Sequence, residues 1–249
     1  MRIGIMGAMN EEVAPLISDI KNRTQEDIGV RTYHSGLLYD KDVVVTASGW
    51  GKTASASAAT TLLVHCGAEI IILFGVAGAA SGELNIGDVI VAKDLIHHDL
   101  DPSPIFPKYQ VPLLGMSRFE TDTRLRNYAI SAVKKFISSG IIEHSIDNPA
   151  RFHITKPAIY QGLIASGDQF ISSTDVLSQL RNVFPDIKCV EMEGASVAQV
   201  CYEHKIPLAV VKVISDKADK SAKTDFPLFL SKVISHYSRG IIQNFLDQL

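Results

Sequence analysis

The stretch Val190-Glu191-Met192-Glu193-Gly194-Ala195 sets two carboxylates between segments that both read as core. Upstream, Phe184-Pro185-Asp186-Ile187-Lys188-Cys189 reads as a turn entering a short buried strand, and downstream Ser196-Val197-Ala198-Gln199-Val200-Cys201 reads as an apolar helix. Carboxylates beside core are rare unless something pairs with them. The plain alternative is that Glu193 complements the positive end of the following helix. Asp216 ends another apolar run, Leu208 to Ile214. Desolvation there would let its carboxyl keep a proton and act as a general acid, although an aspartate in a turn is commonplace. Glu12 falls in the first turn of an expected helix, where acids are favourable anyway. Phe170 suits stacking on a flat ligand as well as ordinary core packing.

These groups share a setting. Gly7 to Glu12, Gly75 to Gly78, Ser166 to Phe170 and Ser215-Asp216 each follow an apolar, strand-like run. In open α/β sheets the ligand crevice lies outside the carboxyl ends of the strands, so separate turns of this kind can converge on one pocket.

The elements that must position them alternate along the chain. Ile3 to Met6 predicts a buried strand, with Asn10 capping a helix through Val13, Leu16 and Ile17. Val30 to Leu38 and Val43 to Ala47 predict a hairpin turning at Tyr39 to Asp42. Gly49-Trp50-Gly51-Lys52 opens an Ala/Thr-rich helix to about His65. Strands follow at Glu69 to Phe74 and Asp88 to Ala92. Next come a proline-rich loop from Pro102 to Gly115, a helix from Leu125 to Ile137, and a polar excursion from Gly140 to Pro157. Gln161 to Ala165 predicts a strand, Thr174 to Val183 a helix capped by Ser173 or Thr174, and Phe226 to Leu246 one long C-terminal helix. With no composition break, residues 1–249 are expected to form a single α/β domain of three layers, a central mixed β-sheet flanked by helices on both faces.

Composition narrows the function classes. The formal charge is -3, with 46% hydrophobic and 20% charged residues. Such a balance offers no electrostatic case for nucleic acid or an anionic membrane. The basic cluster from Lys217 to Lys223, broken by Asp219, reads as a solvated loop. Cys66, Cys189 and Cys201 are widely spaced in apolar surroundings, without metal-ligand or disulfide spacing. Together with an N-terminus unlike a signal peptide, they point to the cytoplasm. Gly75-Val76-Ala77-Gly78 lacks the dinucleotide spacing, and Gly49-Trp50-Gly51-Lys52 is only superficially like a P-loop. Its glycines, like the others, suit tight turns and close backbone approach to a ligand. His97-His98-Asp99-Leu100-Asp101 does not make a metal site, because neighbours on a strand point to opposite faces. No metal and no organic cofactor is expected.

Taken in order, Ile3-Gly4-Ile5-Met6-Gly7-Ala8-Met9 through Glu12, Gly75-Val76-Ala77-Gly78, Ala165-Ser166-Gly167-Asp168-Gln169-Phe170-Ile171, Val190-Glu191-Met192-Glu193 and Ile214-Ser215-Asp216 span almost the whole chain. In these motifs the chain resembles the 5'-methylthioadenosine/S-adenosylhomocysteine nucleosidase family of the purine nucleoside phosphorylase-like superfamily. The resemblance implies hydrolysis of the N-ribosidic bond of a 5'-thio-substituted adenosine. It implies Asp216 as the acid that protonates purine N7, positioned by Ser215, and Glu12 as the base that activates water. Acid and base on opposite faces of the sugar parallel the inverting glycosidases. Glu193 would accept the ribose hydroxyls over Met192, Phe170 would stack on adenine, and the Ile171 backbone would read the base edge. Val76 and Gly78 would line the same site. Met9, Trp50 and Phe226 match the apolar wall around the 5' group. A second subunit of a homodimer, through Pro102 to Phe106, would complete that wall.

Departures from the family pattern are specific. Lys212 stands where many members have an arginine near the attacking water, keeping the charge but losing the planar fork. Val76 replaces a serine found in some members, and Trp50 is bulkier than the usual aliphatic residue. The Gly140 to Pro157 excursion exceeds that of compact members. Three alternatives stay open: a phosphorylase, which needs anchoring cations for phosphate, a non-catalytic nucleoside-binding protein, and a hydrolase of aminodeoxyfutalosine.

Overall fold

Two strands at the centre, β1 (Ile3–Gly7) and β5 (Ile70–Ala79), explain why the chain begins and continues with unbroken apolar runs. β1 lies parallel between β4 (Lys41–Ala47) and β5, and all its residues are buried. Parallel strands covered on both faces lose the polar alternation of a half-exposed strand. Ile3 and Ile5 join one core, with Val13 and Leu16 of α1 (Asn10–Asp19), while Met6 joins the opposite core, with Ala58 and Leu62 of α2 (Lys52–Val64). Alternate side chains thus serve alternate layers. The computed structural model describes residues 1–140, 154 and 156–249.

The expected α/β architecture, a mixed sheet between helical layers, is what forms. On the α1 face lie α3 (Thr123–Ser138) and the C-terminal α7 (Ile234–Leu246); on the α2 face lies α5 (Gly194–His204). The sheet does more than lie flat between them. β5 pairs in parallel with β10 (Leu208–Asp216), and β10 pairs antiparallel with β6 (Val89–His97). β6 pairs in parallel with β8 (Ile159–Ser166), and β8 with β9 (Ile187–Glu191). β9 then returns to β5, antiparallel, through Gly78↔Val190 and Ala79↔Cys189. These strands close a ring, from which β1, β4, β3 (Arg31–Leu38) and β2 (Lys21–Ile28) extend as an open wing. Short β7 (Arg118–Glu120) pairs outside β6, and α4 (Thr174–Val183) precedes β9.

Several expectations are corrected. β2 is an additional strand without a sequence signal: its sequence, Lys-Asn-Arg-Thr-Gln-Glu-Asp-Ile, is polar and exposed, and its backbone ladder to β3 holds it as an edge strand. Gly75 to Gly78 is not a turn after β5 but its second half, paired with β10. The hairpin turns tightly at Tyr39 and Asp40, both at positive φ, as a two-residue turn between twisted strands requires. Met9, not Asn10, stands at the N-cap of α1. The long C-terminal helix is two helices, α6 (Ala222–Lys232) and α7, separated at Val233 with φ -118°. The basic cluster that begins at Lys217 enters α6 at Ala222, and the Lys217 ammonium is tied to the Leu84 carbonyl. Most of the Gly140 to Pro157 excursion lies outside the described residues.

α7 packs against α3 through a deliberate absence. A Cβ at Gly240 would collide with the buried Phe136 ring. Nearby, the buried Tyr237 hydroxyl donates to the Gly87 carbonyl at 3.0 Å. Gly240→Val should therefore destabilise the fold by about 1–3 kcal/mol through overpacking. Urea unfolding measures the loss, and activity well below the transition should be preserved, because this contact lies on the outer helical layer.

Candidate active site

The turn after β1 exists around one side chain. Glu12, in the first turn of α1 and 1% exposed, bends back so that its Oε2 accepts the N–H groups of Ala8 (2.6 Å) and Met9 (2.9 Å). Its Oε1 accepts the N–H of Val76 from β5 at 3.0 Å. A Cβ at Gly75 would strike the Glu12 carboxylate, and one at Gly7 would crowd it at 2.9 Å. These glycines therefore make room for an acid rather than for a ligand. Burial raises the Glu12 pKa, opposed by Lys212 and the backbone donors.

Asp216 ends β10 at a register irregularity against β5. The bulge turns its carboxyl toward Gly78, where a Cβ would lie 3.0 Å from Oδ1. Oδ2 accepts the Ser215 hydroxyl at 2.7 Å and Oδ1 accepts the Ala218 N–H at 2.8 Å. Burial raises its pKa against both donors, so the carboxyl holds its proton to higher pH than an exposed aspartate.

Between β9 and α5 the two glutamates part company. Glu191 takes the helix end: its carboxylate accepts the N–H of Gly194 at 2.9 Å, the N–H of Glu193 at 3.1 Å and the Ser166 hydroxyl. Glu193 occupies the N-cap position but caps nothing. Its Oε1 instead accepts the Gly51 N–H at 2.9 Å. Gly51, at φ +91°, is in a conformation that side-chain-bearing residues avoid. The helix-end electrostatics weighed for Glu193 thus belong to Glu191.

Lys212 of β10 sits among these acids, 1% exposed. Its ammonium lies 2.9 Å from Glu191 Oε2 and 3.9 Å from Glu193 Oε2. Burial alone would lower its pKa, but Glu191, Glu193 and Glu12 outweigh burial and keep it protonated. Burial would likewise raise Glu191, yet Lys212 and the hydrogen bonds bring it below the ordinary carboxylate range. Glu193, desolvated and beside Glu191, is pushed up to about 7. One cation among three carboxyls leaves the cluster short of positive charge, and Glu193 absorbs the deficit.

Met9, Glu12, Trp50, Val76, Gly78, Phe170, Ile171, Met192, Glu193, Ser215, Asp216 and Phe226 all line one pocket open to solvent. The structure thus brings together both acid–base candidates and all ten residues expected to line the substrate site, whereas Lys212 lies behind this lining. Phe226 of α6 meets Phe170 edge-on at 5.4 Å and Trp50 at 5.9 Å, so three aromatic rings from three segments border one end. Pro102 to Phe106 is not part of this lining, and Ile105 there is 82% exposed. Glu191 also borders the cavity, a position that no spacing rule distinguishes from that of Glu193. No arginine lines it among the described residues; Arg2 lies at the opposite end of β1, bound to the Cys66 carbonyl. His97 turns to Gln199 at 3.1 Å, and no metal-holding group of His, Cys, Asp or Glu occurs among the described residues. None of the described helices is long and apolar enough to cross a membrane.

A pocket lined by two buried carboxyls of raised pKa, Glu12 and Asp216, with an aromatic rim has the groups that acid–base cleavage of a bond to a flat leaving group needs. The Phosphorylase superfamily pattern matches residues 2–246. The chain is 35% identical to a 5'-methylthioadenosine/S-adenosylhomocysteine nucleosidase of Anoxybacillus flavithermus, over 100% of this chain and 99% of the relative. Its structure is similar to that of the nucleosidase of Neisseria meningitidis in complex with methylthio-immucillin-A, with a TM-score of 0.86 and 29% identity over 100% and 99% of the two chains. It is also similar to futalosine hydrolase of Helicobacter pylori, with a TM-score of 0.84 and 31% identity over 100% and 98% of the two chains. The chain belongs to the phosphorylase superfamily and, within it, to the 5'-methylthioadenosine/S-adenosylhomocysteine nucleosidase family.

Proposed function

We propose that this enzyme hydrolyses the N-ribosidic bond of 5'-methylthioadenosine and S-adenosylhomocysteine to adenine and the 5'-thioribose, with Asp216 as acid and Glu12 as base. The observation that carries the reading is Glu12. Its carboxylate is locked by three backbone N–H groups, two on Oε2 and one on Oε1, which leaves Oε1 an acceptor position for a water proton. Burial raises its basicity. A carboxylate at this place activates water and repels phosphate, and the cavity has no arginine among the described residues to anchor an anion.

Cleavage builds negative charge on the departing base and positive charge on the ribose. Asp216, whose buried carboxyl holds a proton to higher pH than an exposed aspartate, delivers that proton to purine N7. The carboxylate it leaves is stabilised by Ser215 and the Ala218 N–H, which are already in place. Phe170 stacks on adenine, with Ile171 at the base edge. Glu193 holds the ribose hydroxyls above Met192, and its negative charge favours the cationic sugar. Met9, Trp50 and Phe226 receive the 5'-thio group, while Val76 lines the site beside Glu12 and Gly78 lines it beside Asp216.

A second copy of the chain completes the 5' pocket in this reading, through Pro102 to Phe106. Ile105 and the 96%-exposed Leu113 of the same proline-rich loop are apolar surface that supports such a contact. The three free thiols accord with a reducing cytoplasm.

A nucleoside assay tests the reading. Methylthioadenosine should give adenine and free methylthioribose at equal rates with and without phosphate, and S-adenosylhomocysteine should also be cleaved. Strict phosphate dependence with a sugar phosphate product would make the protein a phosphorylase. Faster cleavage of aminodeoxyfutalosine than of either thio-nucleoside would reassign the substrate. Asp216→Asn and Glu12→Gln should each lower kcat by about 10²–10⁴-fold without lowering Tm; a near-normal rate in either removes that residue from its role. Sedimentation should give a dimer, and Ile105→Asp should yield monomers with raised KM for the thio-nucleoside.

A further inference from the structure

We propose that Glu191 is a positioning residue for Glu193: it takes over the helix cap and the buried ammonium so that Glu193 is free to hold the ribose. This rests on the ribose-binding role given to Glu193 above. Glu191 borders the cavity, yet its carboxylate has little left to offer a ligand. It is held by the Ser166 hydroxyl, by the Gly194 N–H at 2.9 Å to both oxygens, by the Glu193 N–H at 3.1 Å and by the Lys212 ammonium at 2.9 Å. Those donors come from the end of β8, the start of α5 and the middle of β10. Ser166 extends the bracket by accepting the Ala195 N–H at 2.7 Å. The first turn of α5 is therefore capped before Glu193 could cap it.

Glu193 is correspondingly underused. It stands at the N-cap with no cap bond, its Oε1 accepts one backbone N–H, and its Oε2 reaches only to 3.9 Å from Lys212. A buried carboxylate oxygen with so little protein contact is poised for a ligand hydroxyl. The groups that face it are Glu191 from β9, Lys212 from β10, Glu12 from α1 and the Gly51 N–H before α2. Glu191 in turn acts on His97, the last residue of β6, and on His98 just beyond it. Glu191 repels the charge on Glu193, and Lys212 attracts it. The two members of the pair therefore push the ionisation of Glu193 in opposite directions, which distinguishes positioning from simple bracing.

Binding measured by calorimetry in a Glu12→Gln background keeps the nucleoside intact and tests this without turnover. Adding Glu191→Gln should cut the preference for methylthioadenosine over its 2',3'-dideoxy counterpart by about tenfold, the worth of one charge-assisted hydrogen bond, with adenine affinity unchanged. The pH at which that preference sets in should fall with Glu191→Gln and rise with Lys212→Met, while Lys212→Arg should restore it. An unchanged preference, equal losses for adenine and nucleoside, or shifts in the same direction for both variants would overturn the proposal. If Glu191→Gln fails to fold, the Lys212→Met and Lys212→Arg pair decides, an unshifted onset in Lys212→Met counting against it. Absence of hydrolysis by the wild-type protein, with hydroxyl preference intact, would instead overturn the function proposed above and leave Glu191 in its role.

Discussion

The site depends on where one ammonium lies. Lys212 is buried on β10, in register with Gly75 of β5 on one side and Ile90 of β6 on the other. A buried charge without partners is strongly unfavourable, and removing one member of a buried pair leaves the other uncompensated. Lys212 meets the requirement with Glu191 at contact distance and with Glu193 and Glu12 farther off. Because it answers three acids, it sets which are ionised. Glu191 becomes a firm anion, whereas at Glu193 and Glu12 burial outweighs the pull of Lys212 and raises the pKa.

Closure of the sheet makes this concentration of charge possible. In a flat parallel sheet, strand ends line up along an edge and diverge with the twist. Here β9 swings back onto β5, so Val190 pairs with Gly78. Asp216, paired across from Gly78, comes within the same cavity as Glu193. Small residues at the crossing are the condition for closeness: a side chain at Gly75 would displace Glu12, and one at Gly78 would crowd Asp216 and Ala218.

Legibility followed burial. Ile3 to Met6, Ile70 to Phe74 and Leu208 to Ile214 declare themselves as strands because they are buried on both faces and apolar, with Lys212 the single charge among them. The exposed edge strand β2 carries no such pattern, since its stability comes from a backbone ladder that side chains do not report. The break at Val233 is equally silent, because apolar residues continue through it and only φ/ψ change. Gly75 to Gly78 misleads in the other direction: small residues resemble a loop, but serve as a strand that must admit carboxylates from its neighbours.

By itself the sequence determined the chemical inventory: Glu12, Glu193 and Asp216 beside apolar runs, Phe170 beside a glycine turn, and Lys212 within an apolar run. Those follow from residue type and local pattern, which hydrophobic burial enforces wherever the chain goes. Only the tertiary structure decided how the two glutamates of Val190-Glu191-Met192-Glu193 divide their work. They lie two residues apart with the same side chain, so no spacing separates them. What separates them is that Glu191 meets Ser166, Lys212 and the first N–H groups of α5 at once, while Glu193 meets Gly51 and the cavity. In a low-dielectric interior, that difference in partners makes one carboxylate structural and leaves the other open to a ligand.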